Sequence, residues 1–185
     1  MRIRKAGRED IPALAALIAL SVEELQAEHY SAEQRRGALG TVFGVDTQLI
    51  DDGTYFVAEM DGEIAGCGGW SQRKTPFGSD HVAVKDDTLL DPQIDAARIR
   101  AFFVHPRFAR RGIGSAILSA CEAAAQEAGF TRLMLVATLP GVPLYAARGY
   151  EAGESFTVPL QNGIELPVLR MHKHVRVEAQ LSGPR

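Results

Sequence analysis

Residues 102–115 read FFVHPRFARRGIGS, and this segment combines a strand, a tight turn and the start of a helix. Its aromatic and β-branched residues are typical of a strand, which the pair His105-Pro106 ends. Gly112 and Gly114 then lie one residue apart, where apolar residues at helical spacing begin. A helix that starts in a glycine turn offers unpaired backbone N–H groups and a partial positive charge. The segment therefore predicts a cradle for a phosphate-sized anion.

Two familiar phosphate-binding loops do not fit this turn. A P-loop ends in Gly-Lys-Ser/Thr, and no Gly-Lys pair occurs here. The dinucleotide fingerprint requires a third glycine three residues beyond Gly114, where this sequence has Ile117. No acidic residue ends a strand at the expected distance either. A nucleotide-binding oxidoreductase is therefore a weak alternative.

Strand and helix patterns alternate along the rest of the chain. Apolar runs and alternation predict strands over 2–6, 55–60, 63–70, 98–104, 131–137, 150–158 and 165–173. Apolar residues at three- and four-residue spacing and helix-start signals predict helices over 11–25, from about 31, over 112–129 and over 142–148.

The first of these helices has a start signal in Asp10, a predicted N-cap, and Pro12. A polar segment over 71–95, broken by prolines and glycine, predicts a long loop with little regular structure. We expect one mixed α/β domain over 1–174 and a tail over 175–185.

Composition and charge exclude several classes of function. The 185 residues are 46% hydrophobic and 23% charged, which is typical of a folded globular chain. A net charge of -3 supplies no global basic field for nucleic acid or an anionic membrane. No apolar run approaches the roughly 20 residues of a spanning helix, and no signal segment is visible. Cys67 and Cys121 lack zinc or redox spacing, so we expect a cytoplasmic protein without a metal.

Two motifs resemble the GNAT superfamily of N-acetyltransferases. The acetyl-CoA signature of that family, Arg/Gln-x-x-Gly-x-Gly/Ala, is similar to 109–114, although Ala109 replaces the first Arg or Gln. The family's Leu/Phe-Tyr-x-x-x-Gly-Phe/Tyr segment resembles 144–150. Both motifs occur in the expected order, which extends the resemblance over most of residues 1–173. The resemblance implies a single α/β (α+β) domain with a central mixed, mostly antiparallel, splayed β-sheet flanked by helices.

The resemblance also implies acetyl-CoA as cosubstrate and assigns roles to the motif residues. The turn would hold the CoA pyrophosphate through its backbone and its charge, using Arg110, Arg111, Gly112, Ile113, Gly114 and Ser115. Phe103 and Val104 would pair with the pantetheine arm, and the N–H near Val104 would polarise the thioester carbonyl. Tyr145 lies at the position of the acid that protonates the departing thiolate. A phenol with an ordinary pKa of about 10 suits that role.

The general base stays open in the sequence. Some family members carry a Glu on the strand before the turn, and Arg98 matches that position here. The other candidates are a water relay and the side chains of Glu23, Glu24, His29, Asp80, His81 and Asp95. Trp70 and Phe77 are candidates for a wall of the acceptor site.

The expected reaction is direct attack by an amine of a small molecule or peptide on the thioester. Two alternatives remain open. The missing Glu favours a non-catalytic CoA-binding or regulatory module, and Arg73 and Lys74 favour transfer of a larger acyl group. We expect no nucleic-acid or membrane partner, and a homodimer is one option for the oligomeric state.

Overall fold

The computed structural model describes residues 1–81 and 86–175. Its centre is a seven-stranded β-sheet. The strands are β1 Arg2–Lys5, β2 Tyr55–Met60, β3 Glu63–Ser71, β4 Ala97–Val104, β5 Arg132–Thr138, β6 Glu151–Pro159 and β7 Glu165–His174. They lie in the order β1-β2-β3-β4-β5-β7-β6, and every neighbouring pair is antiparallel except β4 and β5. The predicted mixed, mostly antiparallel sheet is confirmed. The predicted tail, apart from Val175, lies outside the described residues.

The helices are α1 Ile11–Leu25, α2 Ala32–Ala38, α3 Thr47–Asp51, α4 Ile113–Glu127 and α5 Val142–Ala147. The predicted helices are present, and α3 is an addition that the sequence pattern did not indicate. A capping box starts α2, because the Ser31 hydroxyl accepts from the Gln34 N–H while the Gln34 side chain accepts from the Ser31 N–H. None of these helices has the length and hydropathy needed to cross a bilayer, in the part of the chain that the structure describes.

Asp10 precedes α1 as predicted, but its side chain does not cap that helix. Its backbone is already helical, since a 3-10 turn over Arg8–Asp10 leads into α1. The carboxylate instead accepts two hydrogen bonds from the Arg4 guanidinium, at 2.7 and 2.8 Å, and one from the Gly7 N–H at 2.8 Å. The Arg4 contact holds the pKa of Asp10 below its usual range. Asp10 therefore holds the predicted N-cap position, but its carboxylate ties the chain after β1 to Arg4 of that strand instead of capping α1.

The sheet is buried on both faces. Helix α4 packs on one face, with Ile117, Leu118 and Cys121 fully buried beside Leu133 and Leu135 of β5. Helix α1 packs on the other face through its predicted apolar stripe, which includes Leu14, Leu17, Ile18 and Val22. Both cysteines are buried and free. Each fully buried aliphatic side chain stabilises the fold by about 1.5–3 kcal/mol before entropy is counted.

The sheet is splayed at its centre. Strands β4 and β5 pair only from Ala97↔Leu133 to Ile99↔Leu135, although both strands continue beyond that point. A bulge in β4 lies at the divergence, where the pairing with β3 shifts and Ala101 takes a φ of 59°. The Tyr55 hydroxyl donates to the Ala101 carbonyl at 3.1 Å and so supports this conformation. The divergence leaves an opening between two neighbouring strands.

The long loop over 71–95 is fixed to the domain by two arginines. In its described part it adds no helix, and one bridge joins Arg73 to Leu89. Arg100 of β4 donates to the carbonyls of Thr75 and Gly78, at 3.0 and 2.8 Å, and its guanidinium contacts Asp46. Arg73 forms two hydrogen bonds with the Asp52 carboxylate, at 2.8 and 2.9 Å. The charge of Arg73, one of the two cations that favoured transfer of a larger acyl group, is therefore paired with Asp52.

The Asp52 contact predicts a pH-dependent contribution to stability. The Arg73 hydrogen bonds hold the pKa of Asp52 below its ordinary value. A lowered folded pKa stabilises the protein above the unfolded pKa of about 4, and this contribution is lost as pH falls through the folded value. We expect Asp52→Asn to lower the free energy of unfolding by about 1–2 kcal/mol at pH 7. Urea titrations should show the difference from wild type closing below about pH 4. A difference that stays constant with pH would contradict this assignment.

Candidate functional site

A groove runs beside the glycine turn that follows β4. It has a volume of about 690 Å³ and is lined by the C-terminal end of α1, the end of β4, the start of α4 and the start of α5. The turn contributes Arg110, Gly112, Ile113, Gly114 and Ser115 to this lining. Val104 lines the groove as well. Six of the predicted binding residues therefore border one groove.

The turn presents backbone donors to the groove. Gly112 precedes α4 in the left-handed conformation, with a φ of 79°, and a Cβ there would meet no atom within 4 Å. The first helical hydrogen bond is donated by the Ala116 N–H to the Gly112 carbonyl, at 3.0 Å. The N–H groups of residues 113–115 therefore have no partner within the helix. These unpaired donors and the helix dipole suit an anion at the start of α4, which borders the groove.

The arginines of the turn differ in their surroundings. Arg107 donates to the Glu63 carboxylate at 3.1 Å, and its guanidinium lies 5.1 Å from the Phe108 ring centre. Arg111 lies over the same ring at 5.5 Å, so Phe108 holds both side chains beside the turn. Arg110 is exposed, takes a φ of 63° and borders the groove. Arg110 and Arg111 therefore place positive charge beside the turn.

A second, smaller cavity lies past the divergence of β4 and β5. Its volume is about 70 Å³, and most of the residues that line it are of apolar type, including Phe43, Phe77, Phe103, Val136, Val158 and Val168. The polar side chains in the lining are Gln26, Arg100, Thr138 and Tyr145. Phe103 and Tyr145 of this cavity are the chain neighbours of Val104 and Leu144, which line the groove. Consecutive residues therefore line the groove and the cavity on both sides of the splay.

Tyr145 lines the cavity, and its chain neighbour Leu144 lines the groove. Its side chain is 8% exposed and packs edge-to-face against Phe102 and Tyr150, with ring centres 6.1 and 5.8 Å apart. Burial raises the pKa of Tyr145 above its ordinary value, so the phenol is protonated at neutral pH. Tyr145 therefore carries a protonated hydroxyl group in the lining of the cavity.

The end of β4 offers backbone groups to the opening. The His105 N–H donates to the Ala65 carbonyl of β3 at 2.9 Å, so alternation turns the N–H and carbonyl of Val104 away from β3. On that side β4 no longer pairs with β5. The Phe103 side chain is buried against Phe43, with ring centres 6.0 Å apart. The backbone of Val104 can therefore meet a strand-like ligand, whereas the Phe103 ring belongs to the cavity wall.

The candidates for a general base are scattered. Glu24 and His29 border the groove, and Arg98 pairs with Ser71 across the sheet. The Asp80 carboxylate accepts from the N–H and hydroxyl of Thr47, at 2.8 and 3.0 Å. Among the described residues, no Asp, Glu or His side chain lines the 70 Å³ cavity. In the described part of the chain, the lining of that cavity therefore offers an amine no carboxylate or imidazole to take its proton.

Sequence reasoning placed one aromatic wall residue in the cavity and missed several others. Phe77 lines the cavity as expected. Trp70 does not, because its ring packs on the opposite face against Phe130, with ring centres 6.0 Å apart. Gln26 and Arg100 were missed. Arg100 could have been noticed as a charge inside an apolar strand, whereas Gln26 follows α1 without any distinguishing signal.

No metal centre is evident. In residues 1–81 and 86–175, no group of three His, Cys, Asp or Glu side chains is placed to hold a metal ion. His172 and His174, which alternate along β7, are both exposed.

Comparison with known proteins identifies a family model that matches the chain and solved structures that share its fold. The model of the acetyltransferase (GNAT) family matches residues 19–150. A GCN5-related N-acetyltransferase from Rhodopseudomonas palustris superposes with a TM-score of 0.70 at 24% identity, over 94% of this chain and 95% of that one. A ribosomal-protein-alanine N-acetyltransferase from Brucella melitensis gives 0.63 at 21% identity, over 95% and 100% of the two chains.

A PaiA N-acetyltransferase from Thermoplasma acidophilum, solved with coenzyme A, gives a TM-score of 0.63 at 15% identity, over 94% of this chain and 98% of that chain. At these identities the likeness shows a shared fold. No curated protein matches the sequence.

Proposed function

This chain belongs to the acetyltransferase (GNAT) family, and from that membership we propose that it is an acetyl-CoA-dependent N-acetyltransferase. The observation that carries the proposal is the splay of β4 and β5 with two spaces lined by neighbouring residues beside it. The groove borders the glycine turn at the start of α4, and the small cavity is lined by Phe103 and Tyr145, the chain neighbours of the groove residues Val104 and Leu144. Such an arrangement suits a phosphorylated donor and a small acceptor that react where they meet.

The donor would lie in the groove. The N–H groups of residues 113–115, with the exposed charges of Arg110 and Arg111, would hold the pyrophosphate of acetyl-CoA. The backbone of Val104 would pair with the pantetheine arm in place of β5. Acetyl-CoA supplies the activated acetyl thioester. The Val104 N–H would then stabilise the negative charge that develops on the carbonyl oxygen during attack.

The acceptor amine would attack from the cavity. Its nitrogen forms the new bond to the carbonyl carbon, and the carbon–sulfur bond breaks. Tyr145 would donate its proton to the departing sulfur and recover one when the new amide nitrogen loses its proton to water. Since no described carboxylate or imidazole lines the cavity, the amine would react in its neutral form. Proximity supplies much of the acceleration in such a direct transfer.

Thiol release provides the test. Purified protein is incubated with acetyl-CoA and a panel of primary amines, free CoA thiol is measured, and CoA affinity is determined by calorimetry. We expect micromolar CoA binding and amine-dependent thiol release. Binding without release from any amine would make the chain a non-catalytic CoA-binding module. Release from succinyl-CoA but not from acetyl-CoA would establish the larger acyl group.

Substitution of Gly112 is expected to weaken CoA binding. Gly112→Ala places a side chain at a φ of 79°, which costs about 1–2 kcal/mol of stability, and the added methyl group stands at the anion cradle. We expect an approximately tenfold higher Kd for CoA, equivalent to about 1.4 kcal/mol. Gly163→Ala is the matched control, because Gly163 has a φ of 77° and also has no atom within 4 Å of a Cβ. Equal CoA affinity in the two variants would remove Gly112 from the binding site.

A further inference from the structure

The Tyr30 hydroxyl joins two backbone segments near the candidate site. Tyr30 lies between α1 and α2 and is 2% exposed. Its hydroxyl donates to the Pro167 carbonyl of β7 at 2.7 Å and accepts from the Leu139 N–H at 2.9 Å. Burial raises the pKa of Tyr30, so the hydroxyl keeps at neutral pH the proton that it donates. One buried side chain therefore bridges the end of β5 and the body of β7.

The register of β5 and β7 shows what this hydroxyl replaces. The Val175 N–H donates to the Thr131 carbonyl at 2.9 Å, one position before the two strands begin to pair. Hydrogen-bonded pairs alternate along an antiparallel ladder, and the register continues unbroken to the end of β5. Leu139 lies an even number of residues beyond Thr131. The next position of the ladder is therefore a hydrogen-bonded one, with Leu139 opposite Pro167.

The Tyr30 hydroxyl stands in the place of that ladder bond. In a regular ladder the Leu139 N–H would donate directly to the Pro167 carbonyl, at about 2.9 Å. Here each of the two groups binds the hydroxyl instead. Pro167 has no N–H, so this single bond is all that the ladder could form at the position. The inserted oxygen holds the two strands apart where β5 ends.

The chain that leaves the ladder at this point leads directly to Tyr145. Leu139 opens a 3-10 turn over Leu139–Gly141, and α5 begins immediately after it at Val142. A Cβ at Gly141 would lie 3.1 Å from Cε2 of the Tyr145 ring, so the turn packs closely beside that ring. A displacement of Leu139 is therefore passed to the backbone that contacts Tyr145.

We propose that Tyr30 is a positioning residue for Tyr145. The Tyr30 hydroxyl keeps β5 from closing onto β7 and so sets the path of the chain from Leu139 into α5. That path fixes the Tyr145 ring in the lining of the cavity. Tyr30 acts through this placement and donates no proton to a substrate. The inference rests on the proposed function, because it takes Tyr145 as the group that protonates the departing sulfur.

A double-mutant cycle tests this role. Tyr30→Phe keeps the ring and lets the Leu139 N–H bind the Pro167 carbonyl directly, so kcat should fall about tenfold while the Kd for CoA changes less than about twofold. In the Tyr145→Phe background the same substitution should change kcat by less than about twofold, because the phenol that Tyr30 positions is gone. A merely structural role would lower kcat equally in both backgrounds.

A matched control separates this role from the loss of a buried hydroxyl. Thr54 is 7% exposed, and its hydroxyl donates to the Leu49 carbonyl at 3.3 Å. Neither the groove nor the cavity is lined by Thr54. We therefore expect Thr54→Val to retain wild-type kcat and wild-type affinity for CoA.

A second measurement does not depend on turnover. The four tyrosines are replaced by 3-fluorotyrosine, and the ¹⁹F resonance of Tyr145 is identified by its loss in Tyr145→Phe. We expect Tyr30→Phe to shift this resonance and Thr54→Val to leave it in place. Wild-type kcat in Tyr30→Phe, an equal fall in both backgrounds or an unmoved resonance would overturn the inference and leave the acetyltransferase proposal intact. Thiol release from no amine at all would overturn both.

Discussion

Replacing Tyr145 by phenylalanine is expected to lower kcat about 100-fold, the lower end of the range for loss of a general acid. The substitution removes only the hydroxyl, so the edge-to-face packing against Phe102 and Tyr150 is retained. The Kd for CoA should therefore change little, because the groove-lining residues are untouched. Steady-state thiol release and calorimetry separate the two effects.

Two further measurements sharpen this prediction. Tyr150→Phe is the matched control, since Tyr150 is equally buried but lines neither the groove nor the cavity. It should retain wild-type kcat. Burial raises the pKa of Tyr145, so its proton is kept across neutral pH, and the rate should not fall on the alkaline side below about pH 10. Normal turnover by Tyr145→Phe would show that another group or water protonates the thiolate.

Much of the sheet was predictable because its signals are local. Turn residues flank β2 and β3, and apolar runs lie between these turns. These signals predicted the ends of both strands to within one residue. The start of α4 was equally predictable, because Gly112 comes directly before a periodic apolar face. The structure places Gly112 in the left-handed conformation. The order of the strands was not local information. The resemblance of two motifs predicted a mixed, mostly antiparallel, splayed sheet, which the structure confirms, whereas the order of the strands is known only from the structure.

Short elements escaped prediction for a physical reason. Helix α3 spans only five residues, which is too few for an apolar period to repeat. Its stability comes from the Asp46 cap, whose side chain accepts from the Gln48 N–H at 3.1 Å, and from burial of Leu49 and Ile50. This burial depends on tertiary packing, which cannot be predicted from the local sequence.

The acceptor cavity was the least predictable part of the candidate site. Its lining comes from widely separated positions, such as Gln26 after α1, Phe77 in the long loop and Val168 on β7. No motif joins these positions. The fold brings them together where β4 and β5 splay apart and where β7 pairs with β5. The glycine turn is continuous in sequence, so its local residues determine its geometry. This difference explains why the donor side was predicted by residue and the acceptor only by class.

Removal of the Asp46 carboxylate is expected to have the largest effect on stability. Asp46→Ala leaves Arg100 charged and 7% exposed, bound only to backbone carbonyls. Breaking a buried ion pair from one side costs about 3–5 kcal/mol, and loss of the α3 cap adds about 1 kcal/mol. A domain of this size is stable by only about 5–15 kcal/mol, so the variant should be close to unfolding at 37 °C.

The Asp46 prediction is checked by urea denaturation against two comparisons. Asp51→Ala removes an exposed partner of Arg8, whose side chain is 70% exposed, and should cost at most about 1 kcal/mol. Asp46→Asn keeps an oxygen for the cap but loses the charge, so it should cost nearly as much as Asp46→Ala if the Arg100 pair dominates. A loss of about 1 kcal/mol in Asp46→Asn would assign most of the effect to the cap. Because Arg100 also holds Thr75 and Gly78, a confirmed large loss would show that the long loop and the acceptor cavity share one buried anchor.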